Sequence, residues 1–383
     1  MTSLTSSIMA RHSFPTSFAE WHRAISREQR LPLIAIAGTR GKSTVIRLLD
    51  HIFRTAGIRT ATWTDEGVEI DGRAEPGELA PWQHALTRLN QGTIDVAIQE
   101  LDWPMVQAVG LPSGVYPIVA VTNICANSDA CLAHDDAKWA LDAYPAVLRA
   151  LMDGGRLVVN AEDYSVANHA KVTASTAAMV GQRPDTPLLK RHLEHGGSGA
   201  WTDGESLFIG TRSRRERLVH IADLSFALEG AATFEIQNAL IAATVARACG
   251  MPASIIGGAL AALAGTEELV LGSFNILRIG ETLAVIERPL PSWFLRPVLR
   301  ALSLQRRGRL LAMLGGTSAI PDDDLVEFGR LIGRASDALI LNARAWSPEQ
   351  AALIKRGVVQ NELPPVLVHV PGEEQAISRT IRM

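Results

Sequence analysis

Cysteine is scarce in this chain: its 383 residues include three, Cys125, Cys131 and Cys249, and no C-x-x-C pair. An odd, scattered set of thiols argues against a disulfide framework and against a cysteine zinc site, so the expectation is buried or half-buried thiols in a reducing cytosol. Long apolar runs are missing too. No stretch of about 18 uncharged apolar residues occurs, and the opening MTSLTSSIMARHSF lacks the apolar run of about 7–15 residues that a secretory signal needs. Nor does one charge dominate. Lys and Arg number 37 against 40 Asp and Glu, a net charge of -3, which gives no general attraction to nucleic acid or to an acidic membrane. These absences predict a cytoplasmic protein that engages neither.

What is present is apolar content, 47% of the chain, enough to bury a large core in more than one domain. Residues 1–30 form a lead-in, with Phe18, Trp21 and Ile25 at helical spacing in SFAEWHRAISREQ. From Leu31, short apolar runs alternate with amphipathic segments: LIAIAG, STVIRLLDHIFRTAG, DVAIQEL, YPIVAVTNI, KWALDAYPAVLRALM, RLVVNAED. Continuous apolar strands separated by helices predict an α/β domain with a mostly parallel sheet covered on both faces. KVTASTAAMVG reads as another strand and turn, and GAWTDGESLFIGTRS and RLVHIADLSFALEG read as half-exposed strands. A helical pair follows in EIQNALIAATVARACG and ASIIGGALAALAG. Near Glu267 to Gly272 a second alternating series begins, giving a domain over 31–268 and a smaller Rossmann-like α/β domain over 269–383.

The chemistry is concentrated in LPLIAIAGTRGKSTVIRLLDHIFRTAG. The general phosphate-loop pattern G-x-x-x-x-G-K-[ST] asks for a first glycine where this chain has Ile36. What stands here is shorter: Gly38, Thr39, Arg40, Gly41, Lys42, Ser43, Thr44, after a strand and before a helix. Backbone N–H groups of such a turn and of the helix N-terminus suit an anion. Lys42 supplies a cation for the β/γ-phosphates, and the Ser43 hydroxyl a ligand for Mg²⁺. A nucleoside triphosphate is the implied ligand.

That shortened loop resembles the Mur ligase family, whose members use ATP to join a carboxylate to an amine through an acyl phosphate. The likeness is greatest to the ligase half of cyanophycin synthetase, with poly-γ-glutamate synthase next. Further segments carry it: TATWTDEGVEIDGR, with Thr64 and Asp65 on what the family uses as a substrate loop; DVAIQEL, with Glu100 at a strand end as the family's nucleotide-magnesium glutamate; VAVTNI, with Thr122, Asn123 and Ile124, Asn123 being implied as a substrate-loop residue too; RLVVNAED, with Asn160 to Asp163. TFEIQNALIAATVARACG puts Asn238 where the family contacts adenine, and Glu287 matches an acid of the second domain, which the resemblance implies as a further ATP-binding residue. The resemblance implies ATP and Mg²⁺ as cofactors, Lys42 and Glu100 as catalytic groups, and Ser43 and Glu100 as metal ligands.

The resemblance also has gaps. The family follows T-N-I with an Asp-His pair for a second metal, where this chain has Asn127 and Ser128; His134 is the displaced candidate ligand. A lysine that many members carry falls at Tyr144, and the linker arginine at Ser273. After Glu100 the chain has Leu101, Asp102, Trp103, Pro104 in place of a small glycine-rich turn, on a loop expected to face the acceptor substrate. Two readings stay open. One is an ATP-dependent carboxylate–amine ligase acting on an amino acid or peptide-like substrate, alone, as a homo-oligomer, or with a related ligase. The other is an ATP-binding homologue with a regulatory or scaffolding role.

Overall fold

The computed structural model describes residues 14–170, 177–263, 270–315 and 320–383. The first part of the lead-in, the start of KVTASTAAMVG, the expected 268/269 boundary and residues 316–319 lie outside the described residues. The chain forms two compact units, Met1–Leu271 with Asn275–Arg278, and Gly272–Phe274 with Ile279–Met383.

The larger unit opens with α1 (Phe18–Arg27), whose Trp21 and Ile25 are buried. Then come β1 (Leu33–Ala37), α2 (Lys42–Thr55), β2 (Thr60–Thr64), β3 (Gly67–Ile70), β4 (Arg73–Glu75), α3 (Leu79–Asn90), β5 (Val96–Leu101), α4 (Trp103–Val109) and β6 (Tyr116–Val121). The chain continues through α5 (Asp129–Leu132), α6 (Asp135–Ala150), β7 (Leu151–Asn160), α7 (Tyr164–Ala170), β8 (Ala177–Val180), α8 (Pro187–Glu194), β9 (Ser198–Thr202), β10 (Ser206–Thr211) and β11 (Arg215–His220). It closes with α9 (Thr233–Ala248), α10 (Ala253–Ala262) and β12 (Asn275–Ile279).

Among the described residues, eleven strands form one sheet in the order β11-β10-β9-β8-β7-β6-β1-β5-β2-β3-β4. The stretch from β9 to β2 is parallel throughout, and antiparallel hairpins close both edges. Buried on both faces, parallel strands must be apolar at every position rather than at every second one. LIAIA of β1 and YPIVAV of β6 are both buried throughout. The sequence spaces β1 and β2 one helix apart, yet β5 inserts between them and β6 pairs on the other side of β1. The chain therefore switches direction at β1, and the strand C-termini there flank a crevice of the kind that takes ligands in open α/β sheets.

Two helices fix what lies above that crevice. Helix α2 turns Val45, Ile46, Leu48, Leu49, Ile52 and Phe53 into the core, an apolar face at helical spacing. Helix α9 is buried over nearly its whole length, and its alanines let it pack closely against α2. Two expectations are corrected here. Strand β9 is buried at all five positions rather than half-exposed, because helices α8 and α9 both pack on it. RLVHIADLSFALEG is a strand only as far as His220; Ile221–Asp223 and Ser225–Gly230 are 3-10 turns, and left-handed Leu228 and Glu229 stop any extended continuation.

The smaller unit contains β13 (Thr282–Ile286), α11 (Ser292–Leu304), β14 (Leu311–Leu314), α12 (Leu325–Ala335), β15 (Ala338–Asn342), α13 (Pro348–Val358), β16 (Val366–Val370) and α14 (Glu373–Ile381). Strands β14, β15 and β16 form a parallel sheet in that order, with β15 buried at its centre. Helices α12 and α13 cross so closely that a Cβ on Gly329 would strike the backbone of Ile354, and one on Gly357 that of Val326. The Asp324 carboxylate accepts the Ser292 backbone N–H at 2.6 Å, tying the start of α11 to that of α12.

Candidate functional site

The turn between β1 and α2 holds its shape through glycine. Gly38 and Gly41 have φ of 144° and 81°, values that side-chain-bearing residues rarely adopt. A Cβ on Gly38 would enter the Thr122 hydroxyl, and one on Gly41 the Asn238 side-chain amide. The loop after β6 grips the same turn. Thr39 N–H donates to the Asn123 carbonyl at 2.9 Å, Arg40 N–H to Asn123 Oδ1 at 3.2 Å, and Asn123 Nδ2 and Thr122 Oγ1 donate to the Arg40 carbonyl at 3.0 and 2.6 Å. Asn123 and Thr122 therefore shape the turn from behind. Asn238 stands against Gly41 and is oriented by Glu235, whose Oε2 accepts from Nδ2 at 3.1 Å. Thr44 is buried in the first turn of α2.

Register brings the acid to the lysine. In the β1–β5 pairing Ile36 lies opposite Glu100, so the carboxylate leaves β5 level with the start of the turn. Lys42 Nζ is 3.4 Å from Glu100 Oε1, with both side chains about nine-tenths buried. Ser43 Oγ lies 2.8 Å from Glu100 Oε2 and 3.2 Å from Asp65 Oδ1. Hydroxyl and carboxylate oxygens at this spacing suit a hard, oxygen-preferring dication. Ser43 and Glu100 would hold Mg²⁺ here, where it would neutralise charge on the triphosphate.

The second metal of the resemblance does not fit the residues present. Asn127, left-handed at φ 63°, has its amide occupied by backbone: Nδ2 donates to the Glu162 carbonyl at 2.5 Å, and Oδ1 accepts from Tyr164 N–H at 2.9 Å. Ser128 caps α5 and accepts the Cys131 N–H at 3.3 Å. Tyr144, at the position of the family's lysine, is fully buried and donates to the Val166 carbonyl at 3.1 Å; burial, followed by the Asp163 charge, holds its phenol far above the ordinary range. His134 is the cap residue at the start of α6, and among the described residues no group of three or more His, Cys, Asp or Glu converges to hold a metal.

Two other expectations are overturned. Trp103 does not sit on an open loop: it is the first residue of α4, 3% exposed, edge-on to Tyr144 at 6.1 Å, because α4 packs its apolar face on α6. The cysteines are not all thiols. Cys125 and Cys131 form a disulfide, and Cys249 alone is free and buried. Left-handed Ala126 and Asn127 fold the loop back and α5 returns it, bringing the two Cα atoms to 5.6 Å, within bridging range. Thr64 accepts the Glu66 N–H and so caps the turn that carries Asp65. Glu287, in the smaller unit, accepts the Arg288 N–H beside Gly272.

One residue of the site went unread in the sequence. Arg47, a turn after Ser43 on α2, is ion-paired to Glu66 and Glu69. Burial would lower its pKa, but the hydrogen bonds and charges of Glu69 and Glu66 outweigh that and raise it. An arginine four residues after Ser43, on the same helix face, followed by the acidic stretch DEGVE, was the available signal.

The family model of the Mur ligase middle domain matches residues 36–246. Cyanophycin synthetase from Trichormus variabilis is 25% identical over 360 residues, covering 92% of this chain and 40% of that protein. A UDP-N-acetylmuramoyl-L-alanyl-D-glutamate–2,6-diaminopimelate ligase from Bacillus velezensis is 24% identical over 273 residues, covering 67% of this chain and 51% of its own length. MurF from Acinetobacter baumannii shares the fold with a TM-score of 0.63 at 17% identity, over 95% of this chain and 74% of that one. The chain thus spans about two fifths to one half of these curated relatives. Because the matched region takes in more than half of the sequence, from β1 to the helix bearing Asn238, this chain belongs to the Mur ligase family.

Proposed function

We propose that this chain is an ATP-dependent carboxylate–amine ligase that activates its acid as an acyl phosphate. The observation that carries the reading is the meeting of Lys42, Ser43 and Glu100 above a glycine-shaped turn at the sheet's switch point. Lys42 and the N–H groups at the start of α2 receive the triphosphate, and Asn238 stands against Gly41 beside them. A substrate carboxylate oxygen attacks the γ-phosphorus; that P–O bond forms as the bond to ADP breaks, giving acyl phosphate and ADP. An amine then attacks the acyl carbon, the C–O bond to phosphate breaks, and the nitrogen loses a proton. Such transfer depends on positioning and electrostatics more than on covalent help from side chains. Cyanophycin synthetase and the peptidoglycan ligases among the relatives support an amino acid or peptide-like acid as substrate.

The test is ADP and phosphate release from Mg-ATP in the presence of candidate amino acids and peptides. Release that depends on acid and amine supports the ligase. ATP binding that Lys42→Ala abolishes, with no turnover for any substrate pair, would instead favour the regulatory reading.

A further inference from the structure

Helix α2 presents Ser43 and Arg47 one turn apart, so both side chains share a face. That face meets the β2–β3 hairpin. Thr64 pairs with Gly67, which leaves Asp65 and Glu66 as its two-residue tip. Arg47 holds the hairpin through Glu66 at 3.1 Å and Glu69. Glu66 also accepts the Leu271 N–H at 3.1 Å, and its own N–H is capped by Thr64. The tip is therefore fastened on three sides, and the residue so placed, Asp65, puts Oδ1 3.2 Å from Ser43 Oγ.

Those distances have a meaning for a metal. Ligands at about 2.1 Å from Mg²⁺ in an octahedron lie about 3.0 Å from their neighbours. Ser43 Oγ to Glu100 Oε2 is 2.8 Å, and Ser43 Oγ to Asp65 Oδ1 is 3.2 Å. Two carboxylates flank one hydroxyl at the spacing of adjacent octahedral ligands, and Lys42 is ion-paired to the other oxygen of Glu100. Two carboxylates and a hydroxyl are the oxygen donors that a hard dication prefers.

We infer that Asp65 is a third protein ligand of the nucleotide-bound divalent ion, and that Arg47 is the positioning residue that aims it. The inference rests on the nucleotide reading of the loop proposed above. It assigns the hairpin tip to the metal rather than to the acceptor substrate, and it makes the site doubly anionic.

Mn²⁺ is the probe: free Mn²⁺ is followed by electron paramagnetic resonance as it is titrated into the full chain with a nonhydrolysable ATP analogue. Asp65→Asn is expected to weaken Mn²⁺ binding about ten- to a hundredfold, with an unchanged melting temperature because Asp65 is exposed at a turn. Arg47→Leu is expected to weaken it as well, and Arg47→Lys to recover part of the loss, which a purely structural role would not predict. Unchanged Mn²⁺ affinity in Asp65→Asn, alongside a loss in Glu100→Gln, overturns the ligand assignment and leaves the nucleotide reading intact. A wild-type chain without a nucleotide-dependent Mn²⁺ site overturns both.

Discussion

Asp163 carries more of the site's shape than any group that would touch substrate. Its Oδ2 accepts the N–H groups of Ile124, Cys125 and Ala126 at 2.8, 3.0 and 2.9 Å, and its Oδ1 those of Ser165 and Val166 at 3.0 and 3.2 Å. One carboxylate thereby fixes both the loop that follows Asn123 and the start of α7. Removing it leaves buried N–H groups without acceptors, each costing about 1–3 kcal/mol. Asp163→Ala is expected to lose at least about 3 kcal/mol in urea unfolding and to weaken nucleotide binding, since Asn123 would no longer be held against Arg40. A loss below about 1 kcal/mol would show that water or a rearranged loop replaces it.

A second buried acid on α2 acts in the opposite sense. Burial raises the pKa of Asp50, and the hydrogen bond from Thr60 and the charge of Arg54 only partly oppose it. The folded chain therefore holds this proton more tightly than the unfolded chain, so stability falls as pH rises from the unfolded carboxylate value through the folded one. Asp50→Asn is expected to be the more stable form at neutral pH, with the advantage vanishing in acid below about pH 4. Urea midpoints of the two proteins across pH check this; parallel curves would contradict it.

At the scale of elements, the parts legible in the sequence are those set by local pattern. The apolar run of β1, the helix after Lys42 and the acid ending β5 follow from spacing, since a buried parallel strand and an amphipathic helix impose their own periods. The order in which strands pair does not, and it is pairing that sets Glu100 beside Lys42. Trp103 illustrates the limit: nothing in its neighbourhood announces that Tyr144, on α6, closes over it. The cysteine pair is the same case, because its closure depends on two left-handed residues and the short α5 rather than on cysteine number. A consequence is countable. The denatured chain should show one reactive thiol without reductant, from Cys249, and three after reduction. Three before reduction would remove the bridge. Replacing Cys125 and Cys131 by serine is expected to cost up to about 2 kcal/mol, the loop being short.

At the scale of the whole molecule, the proposed nucleotide site and the loop at the resemblance's second-metal position are built from different chemistry. Asn127 and Ser128 are spent on caps, Tyr144 on a buried carbonyl, and the loop that carries Asn127 and Ser128 is closed by the Cys125–Cys131 disulfide. None of these groups is released by a side-chain rotation alone: freeing Asn127 would strip the Glu162 carbonyl and the Tyr164 N–H of partners, and freeing Tyr144 would open a cavity in the core. The donor set at Ser43, Asp65 and Glu100 stands apart from these groups in character, being hydroxyl and carboxylate rather than amide and phenol. With a saturating nonhydrolysable ATP analogue the chain is therefore expected to bind one Mn²⁺ tightly, and Glu100→Gln to remove it. Two tight ions per chain, the second unaffected by Glu100→Gln, would mean that the Asn127–Ser128 loop opens on binding nucleotide, and that the caps seen here belong to a resting conformation rather than to the working one.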